Sequence, residues 1–463
     1  MTNLASTTTP GAFAERHAAR RAALACMITL AVALGIGRFA FTPLLPLMLH
    51  GGALGQPQID IQHGGWLASF NYAGYFAGAV TCAALRIGPA RMVRVGLVTT
   101  VLLTLAMGVT SQFWVWALVR FIAGAVSAWT FVFASQWGLR RLAELGAHGW
   151  SGVIYTGPGV GIVGTGLMVS VAGGYGGATL GWLGFGLIAA VLSIVVWPVF
   201  GAPSGAGAAN ADRASGRAAS QRPLADRSTG GQRVASERGA AGQFNPASKV
   251  AAQSATQSAA TQSPATHHIP HRADAFWLVV LYGIPGFGYI ITATFLPVIA
   301  RHALPGSSWP DLFWPMFGAA LIVGALLAAR LPGHWDNREL LAACYVLQAC
   351  GIALGIVWPT AGGFSLGSIL IGLPFTAITL FAMREARRLH GDDAAGLMGY
   401  STAAYGVGQI VGPLVAAPIA AQTGSFSPAL WLAAGALLLG AAALIAVARR
   451  PRGRGRMPDC GCE

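Results

Sequence analysis

Charged residues are scarce in this chain of 463 residues: Asp, Glu, Lys and Arg make up only 10%, whereas hydrophobic residues make up 54%. The mean hydropathy is +0.59. A soluble protein of this length needs many more polar side chains to cover its surface, so the composition excludes an ordinary soluble enzyme or binding domain. We therefore predict a polytopic membrane protein in contact with the lipid bilayer.

Lysine is almost absent, because Lys249 is the single lysine and the formal charge of +14 comes from arginine. A nucleic-acid-binding protein gathers its basic residues on one surface. Here the arginines lie mainly in short loops between apolar runs, which indicates membrane topology instead. We expect no nucleic-acid partner.

Residues for catalysis or metal binding are also missing. The six cysteines give no disulfide framework, since four lie in apolar segments and two in the C-terminal tail. His267, His268 and His271 form a cluster that we interpret as a solvated loop. No nucleotide-binding motif of the type Gly-x4-Gly-Lys-Ser/Thr occurs. The sequence thus predicts no enzyme, no cofactor and no metal site.

Apolar runs long enough to cross a bilayer number twelve, since a membrane helix needs about 20 such residues. Their approximate ranges are 22–49, 64–85, 92–110, 113–138, 149–171, 179–200, 275–300, 312–331, 339–358, 363–383, 394–421 and 427–448. The predicted fold class is therefore an all-α membrane protein with twelve transmembrane helices in two sets of six.

The distribution of arginine predicts the orientation. With the N-terminus inside, Arg301 is the one basic residue in an outer loop, Arg38 and Arg120 lie within spans, and all others fall inside. We predict a multi-pass protein of the cell inner (cytoplasmic) membrane with both termini cytoplasmic. The predicted parts are an N-terminal tail (1–21), a first half (22–200), a disordered linker (201–273), a second half (274–448) and a basic tail (449–463).

The two halves repeat one another. At an offset of 251, Gly35, Gly37, Leu45 and Pro46 match Gly286, Gly288, Leu296 and Pro297; at an offset of 247, Gly149, Gly152, Gly159 and Gly161 match Gly396, Gly399, Gly406 and Gly408. Parallel duplicated halves of six helices are typical of major facilitator transporters. The whole chain apart from its linker and tails resembles that superfamily, and residues 35–48 (Gly-Ile-Gly-Arg-Phe-Ala-Phe-Thr-Pro-Leu-Leu-Pro-Leu-Met) resemble the first-helix signature of its YbfB/YjiJ-like subgroup.

Two further motifs support the resemblance and two departures qualify it. Residues 120–124 (Arg-Phe-Ile-Ala-Gly) are similar to the superfamily's arginine motif, which implies a role for Arg120 in coupling. Residues 157–161 (Gly-Pro-Gly-Val-Gly) resemble an exporter motif but lack its closing Gly-Gly pair, so export stays open. The loop at 86–91 lacks the family's usual acid, whereas the loop after the eighth span keeps Asp336, Arg338 and Glu339.

The resemblance implies that the first, fourth, seventh and tenth spans line a central cavity, gated by the second, fifth, eighth and eleventh. Polar residues at helical spacing on one face of these spans are the expected inward-facing groups. The candidates for substrate binding or coupling are Arg38, Thr42, Asn71, Tyr75, Arg120, Tyr282, Tyr289, Thr292, Tyr405 and Gln409. Thr402 lies on the same predicted face as the last two. Pro43, Pro46, Gly157, Pro158 and Pro297 are the predicted helix-bending residues.

Two buried arginines without an acid in the spans predict an electropositive cavity and an organic anion as substrate. Alternatively, Arg38 and Arg120 are structural residues that donate hydrogen bonds to backbone carbonyl groups left unpaired by nearby glycine and proline. Because no carboxylate lies deep in a span, proton coupling stays open beside another ion or exchange. We predict a monomeric secondary transporter of a small organic solute that works by alternating access. The alternative is a membrane sensor or scaffold with the same fold but no transport.

Overall fold

The computed structural model describes residues 10–50, 59–172, 177–201, 272–328, 330–332, 334–390 and 394–449. Nearly all of the predicted linker, including the histidine cluster, lies outside these residues, as do most of the predicted basic tail and Cys460 and Cys462. Those predictions therefore stay predictions.

Twelve membrane-length helices form the described part of the chain, which contains no strand. The first half contains α1 (the consecutive segments Pro10–Leu30, Ala31–Ile36 and Phe41–Leu49), α2 (Ile61–Thr81), α3 (Pro89–Val109), α4 (Phe113–Glu144), α5 (Ser151–Val171) and α6 (Ala178–Phe200). The second half contains α7 (Arg272–Ala303), α8 (Pro310–Ala328), α9 (Asn337–Val357), α10 (Ala361–His390), α11 (Ala394–Thr423) and α12 (Ser427–Ala448). Eleven are apolar enough to cross a membrane by length and composition. The other, α2, is more polar because it carries residues such as Gln62, His63 and Asn71.

Helix α1 changes geometry in the middle of its apolar run. Ala31–Ile36 forms a π-helix, in which Gly37 N–H donates to Val32 O at 2.9 Å, and α-helix resumes at Phe41. Glycine has low helix propensity, and Pro43 has no N–H to donate, so this sequence disfavours a continuous α-helix. Single π-helical turns often occur at functional sites. The change leaves the carbonyl groups of Gly37 and Arg38 available to other helices.

The sequence repeat corresponds to a repeated helix contact. A Cβ atom at Gly35 of α1 would lie 2.4 Å from Cα of Gly161 on α5, so these backbones touch. The equivalent residues of the second half are Gly286 on α7 and Gly408 on α11, where a Cβ at Gly408 would lie 3.1 Å from the carbonyl carbon of Gly286. Both halves thus use glycine at equivalent positions to bring equivalent helices together.

The predicted helix-bending residues have different surroundings. On α5 a short turn, Ser151–Ile154, ends before Gly157, and helix restarts there with Pro158 in its first turn, where a missing N–H costs little. Pro43 and Pro46 lie in the segment Phe41–Leu49 after the π-helix. In contrast, α7 is one uninterrupted helix that contains Pro297.

Candidate functional site

Four side-chain hydrogen bonds of the described residues join the two halves. Each runs from α1 or α2 to α7 or α11: Arg38 Nη2 to Gln409 Oε1 (3.0 Å), Thr42 Oγ1 to Ala293 O (2.9 Å), Ser69 Oγ to Ile410 O (2.9 Å), and the hydroxyl pair of Tyr72 and Thr294 (3.0 Å). The predicted candidates Arg38, Thr42 and Gln409 therefore meet at the boundary between the halves.

Arg38 lies at the centre of this boundary and is only 5% exposed. Its guanidinium carbon lies over the rings of Tyr75, Tyr72 and Phe39, at 4.0, 5.1 and 5.2 Å from their centroids. Cation–π contacts of this kind stabilise a desolvated arginine. Its Nη2 bonds Gln409, but its Nε has no hydrogen-bond partner among the described residues.

Gln409 connects Arg38 to the second half. Its Oε1 accepts from Arg38, and its Nε2 donates to the hydroxyl of Tyr289, which is fully buried. Arg38 and Tyr289 occupy equivalent positions of α1 and α7 at the repeat offset of 251. One amide on α11 thus bridges the two equivalent residues, and we call this arrangement the Arg38–Gln409–Tyr289 bridge.

Arg120 on α4 has a different environment. Its Nη1 and Nη2 donate to the carbonyl oxygens of Gly37 and Arg38 at 3.4 and 3.2 Å, and its guanidinium carbon lies 4.7 Å from the ring centroid of Phe41. Asn71 of α2 donates to the Arg120 carbonyl oxygen at 2.8 Å. These contacts hold the non-α segment of α1 in place, which agrees with the structural alternative for Arg120.

Tyr289 of the bridge and four tyrosines around it form what is here called the tyrosine cluster: Tyr72, Tyr75, Tyr282, Tyr289 and Tyr405. The ring of Tyr405 stacks on Tyr282 at 5.0 Å and 27° and on Tyr289 at 6.0 Å and 21°. Tyr282 also donates a hydrogen bond to Thr379 at 3.1 Å. Tyr72, Tyr282 and Tyr289 are buried, whereas Tyr75 and Tyr405 keep part of their surface exposed.

Two of the residues predicted to face the cavity lie elsewhere in the structure. Thr292 is buried in a pocket within the second half, together with Leu296, Ile352, Phe364 and Ser368, and does not belong to the central cluster. Thr402 is exposed and bonds a carbonyl of its own helix. Sequence reasoning missed Tyr72, Thr294 and Ser69. It also missed Phe375, whose ring packs edge to face on Tyr289 at a centroid distance of 5.0 Å. For Tyr72 a signal existed, because it lies three residues from both Ser69 and Tyr75 and so shares their helix face.

No acidic side chain of the described residues pairs with Arg38 or Arg120. The ion pairs lie at helix ends, and the largest set joins Arg338 to Asp274 at 2.9 Å and to Glu385 at 2.6 Å. Glu385 is 0% exposed, so it is more deeply buried than its place near the end of a span predicts. Because Arg338 and Arg388 both contact Glu385, its charge is already balanced. Among the described residues, the central site therefore holds two buried cations without an acidic counter-ion.

Comparisons with known proteins agree with the fold. The chain matches the family model described as "Uncharacterised MFS-type transporter YbfB" over residues 30–227 and 247–445. A crystal structure of a mutant nucleoside transporter NupG is similar at TM-score 0.63 and 14% identity, covering 92% of this chain and 99% of that chain. A second NupG crystal structure gives 0.60 and 12%, covering 93% and 99%. At such identity the likeness shows the fold alone, and it confirms the predicted fold class. No curated protein matches the sequence.

Proposed function

Because this chain belongs to the YbfB-like family of MFS-type transporters, whose model spans both halves, we propose that it is a secondary active transporter. It moves a small organic solute across the cytoplasmic membrane by alternating access. The observation that carries the proposal is the Arg38–Gln409–Tyr289 bridge, because it places a buried cation where the two halves meet. In transporters built from two such halves, the substrate site lies between them near the bilayer midplane.

Alternating access requires contacts between the halves that break and reform. The four hydrogen bonds between the halves lie at the level of Arg38 or towards the ends at Leu49, Ile61, Ala303 and Thr423. With a cytoplasmic N-terminus, these ends face the outside. The structure then corresponds to a form closed to the outside, and rocking of one half against the other must break these bonds.

An organic anion is the substrate class that the charges favour. A charged side chain at the bilayer centre costs about 3 kcal/mol or more, and Arg38 and Arg120 have no acidic partner among the described residues. An anionic substrate compensates this cost while it is bound. NupG is described as a nucleoside transporter, but a neutral nucleoside would leave both arginines uncompensated.

The driving force is an ion gradient or exchange of solutes. Glu385, the buried acid of the described spans, already pairs with Arg338 and Arg388, so it offers no free carboxylate to carry a proton. Both export and import belong in the test.

The test is a metabolite screen in cells that overexpress or lack the protein, each with and without an uncoupler. The proposal expects the level of at least one organic anion inside the cells to differ between the two strains. Uptake of that anion is then measured in proteoliposomes with the wild type, Arg38→Gln and, as a matched control far from the site, Arg301→Gln. Specific binding without flux would contradict the proposal and indicate a membrane sensor.

A further inference from the structure

The guanidinium of Arg38 has an incomplete set of hydrogen bonds. Nη2 donates to Gln409 Oε1 at 3.0 Å, whereas Nε is buried and has no partner among the described residues. The N–H bonds of Nε and Nη2 lie side by side and form an edge that a carboxylate binds with both oxygens. A carboxamide has a single acceptor oxygen, so Gln409 satisfies only half of this edge. A carboxylate would satisfy all of it.

The surface next to this edge is aromatic. Arg38 lies 4.0 Å from the ring centroid of Tyr75, and Tyr405 stacks with Tyr282 and Tyr289 in the same cluster. Of the five tyrosines, Tyr75 and Tyr405 are the two that stay partly exposed. Aromatic rings pair favourably in offset stacks or edge to face, which a flat ligand ring can do and a saturated ring cannot.

Three of the five hydroxyl groups in the tyrosine cluster are engaged within the protein. Tyr282 bonds Thr379, Tyr72 bonds Thr294, and the Tyr289 hydroxyl accepts from Gln409. A sugar or other polyol requires many free donors and acceptors, because each unmatched polar group that is buried costs free energy. Among the described residues, the unpartnered Nε of Arg38 and the partly exposed rings of Tyr75 and Tyr405 match a flat anion better than a polyol.

We infer that the substrate is a planar aromatic carboxylate, whose carboxylate replaces the Gln409 amide on the Nε and Nη2 edge of Arg38 and whose ring packs against Tyr75 and Tyr405. This inference rests on the proposed function, since it names the class of anion that the same site carries. Binding also separates Gln409 from Arg38. The substrate therefore loosens one of the bonds that hold the halves together.

The experiment measures thermal unfolding of the purified full-length protein in detergent at neutral pH with three matched probes. Benzoate has the flat ring and the carboxylate, cyclohexanecarboxylate has the carboxylate without the flat ring, and benzamide has the flat ring without the charge. We expect benzoate to bind at least about tenfold more tightly than benzamide, because benzamide cannot form the charge-assisted pair with Arg38. We expect benzoate to bind about fivefold more tightly than cyclohexanecarboxylate, because the saturated ring of cyclohexanecarboxylate cannot stack on the tyrosines.

Gln409→Glu distinguishes a blocked binding site from simple misfolding. The new carboxylate supplies both oxygens to Arg38 from within the protein, so the unliganded variant should unfold at a higher temperature than the wild type and no longer respond to benzoate. Tyr405→Leu should weaken benzoate and leave cyclohexanecarboxylate nearly unchanged. Tyr400→Leu, on the same helix at a residue that is 71% exposed, is the matched control and should behave as the wild type.

Each other outcome overturns a defined part of the inference. Equal binding of benzoate and cyclohexanecarboxylate removes the aromatic requirement but leaves transport of an organic anion in place. Equal binding of benzamide and benzoate shows that the site does not require an anion. A Gln409→Glu variant that still responds to benzoate, or a wild type that responds to no probe, refutes the inference. Flux of the screened metabolite in proteoliposomes decides separately whether the protein transports.

Discussion

Thr42 donates a hydrogen bond to the carbonyl oxygen of Ala293 at 2.9 Å, although these residues occupy equivalent positions of α1 and α7. Arg38 and Tyr289, one turn earlier on the same helices, are also equivalent and share Gln409 as a partner. Equivalent positions therefore meet across the boundary between the halves. The side chains that differ there, a cation against a phenol and a hydroxyl against a methyl group, break the symmetry of the repeat.

Arg38→Lys should separate charge from geometry. Lysine keeps the positive charge but lacks the planar edge that binds two oxygens at once, so the apparent affinity for the transported anion should fall about tenfold. Arg38→Gln should lose more, because it removes the charge as well. Concentration dependence of uptake in proteoliposomes measures the affinity of Arg38→Lys, and identical affinity of this variant and the wild type would show that the edge plays no part.

Thr42→Val should weaken closure of the two halves on one side. It leaves the Ala293 carbonyl without its partner from the first half, while the volume of the side chain stays similar. Spin labels at Gln62 and Gln422, exposed near the corresponding ends of α2 and α11, report the opening by their distance distribution. We expect a larger population at long distance in Thr42→Val. An unchanged distribution would mean that this hydrogen bond does not contribute to closure.

Gly161→Ala should destabilise the first half. The added Cβ would lie 2.6 Å from Cα of Gly35 and 2.6 Å from Ala31 O, both backbone atoms that cannot move aside cheaply. Overpacking of this kind costs about 1–3 kcal/mol. Gly164→Ala is the control on the same helix, because a Cβ there meets nothing within 4 Å. Thermal unfolding should show a clear loss for the first variant only; equal stability of the two would contradict the close contact of α1 and α5.

Glu385→Gln should destabilise the second half through the Arg338 ion pair. Both side chains are buried, at 0% and 5% exposure, and the substitution leaves Asp274 as the remaining acidic partner of Arg338, so the loss should lie near the lower end of the about 3–5 kcal/mol that breaking a buried pair costs. Glu144→Gln removes a partly exposed pair and should change stability by about 1 kcal/mol or less. Thermal unfolding distinguishes the two, and a Glu385→Gln variant as stable as Glu144→Gln would show that the pair contributes little.

The sequence was sufficient for the fold class because the length of an apolar run follows directly from the thickness of the bilayer. The orientation predicted from the arginine distribution stays a prediction. The sequence was less accurate at helix ends. Charged residues such as Arg140, Arg141 and Glu144 extend α4 beyond its apolar run, because arginine and glutamate have high helix propensity and are also well hydrated. Helix α2 was found by its length, although its polar residues make it less apolar than the other eleven helices.

The site was partly predictable for a physical reason. Helical spacing shows which polar residues share a face, and this brought out Arg38, Thr42 and Gln409. It does not show which neighbour that face meets, so Thr292, one turn from the central Tyr289 in sequence, faces a pocket inside the second half instead. The pairing of Arg38 with Gln409 spans 371 residues, and no local pattern contains it.

Uptake of the screened organic anion into proteoliposomes, compared between the wild type and Arg38→Gln, decides whether Arg38 binds the transported substrate. We expect saturable uptake by the wild type and by Arg301→Gln, and no uptake above that of empty liposomes by folded Arg38→Gln. Uptake by Arg38→Gln at the wild-type rate and affinity would contradict the claim that Arg38 binds the substrate.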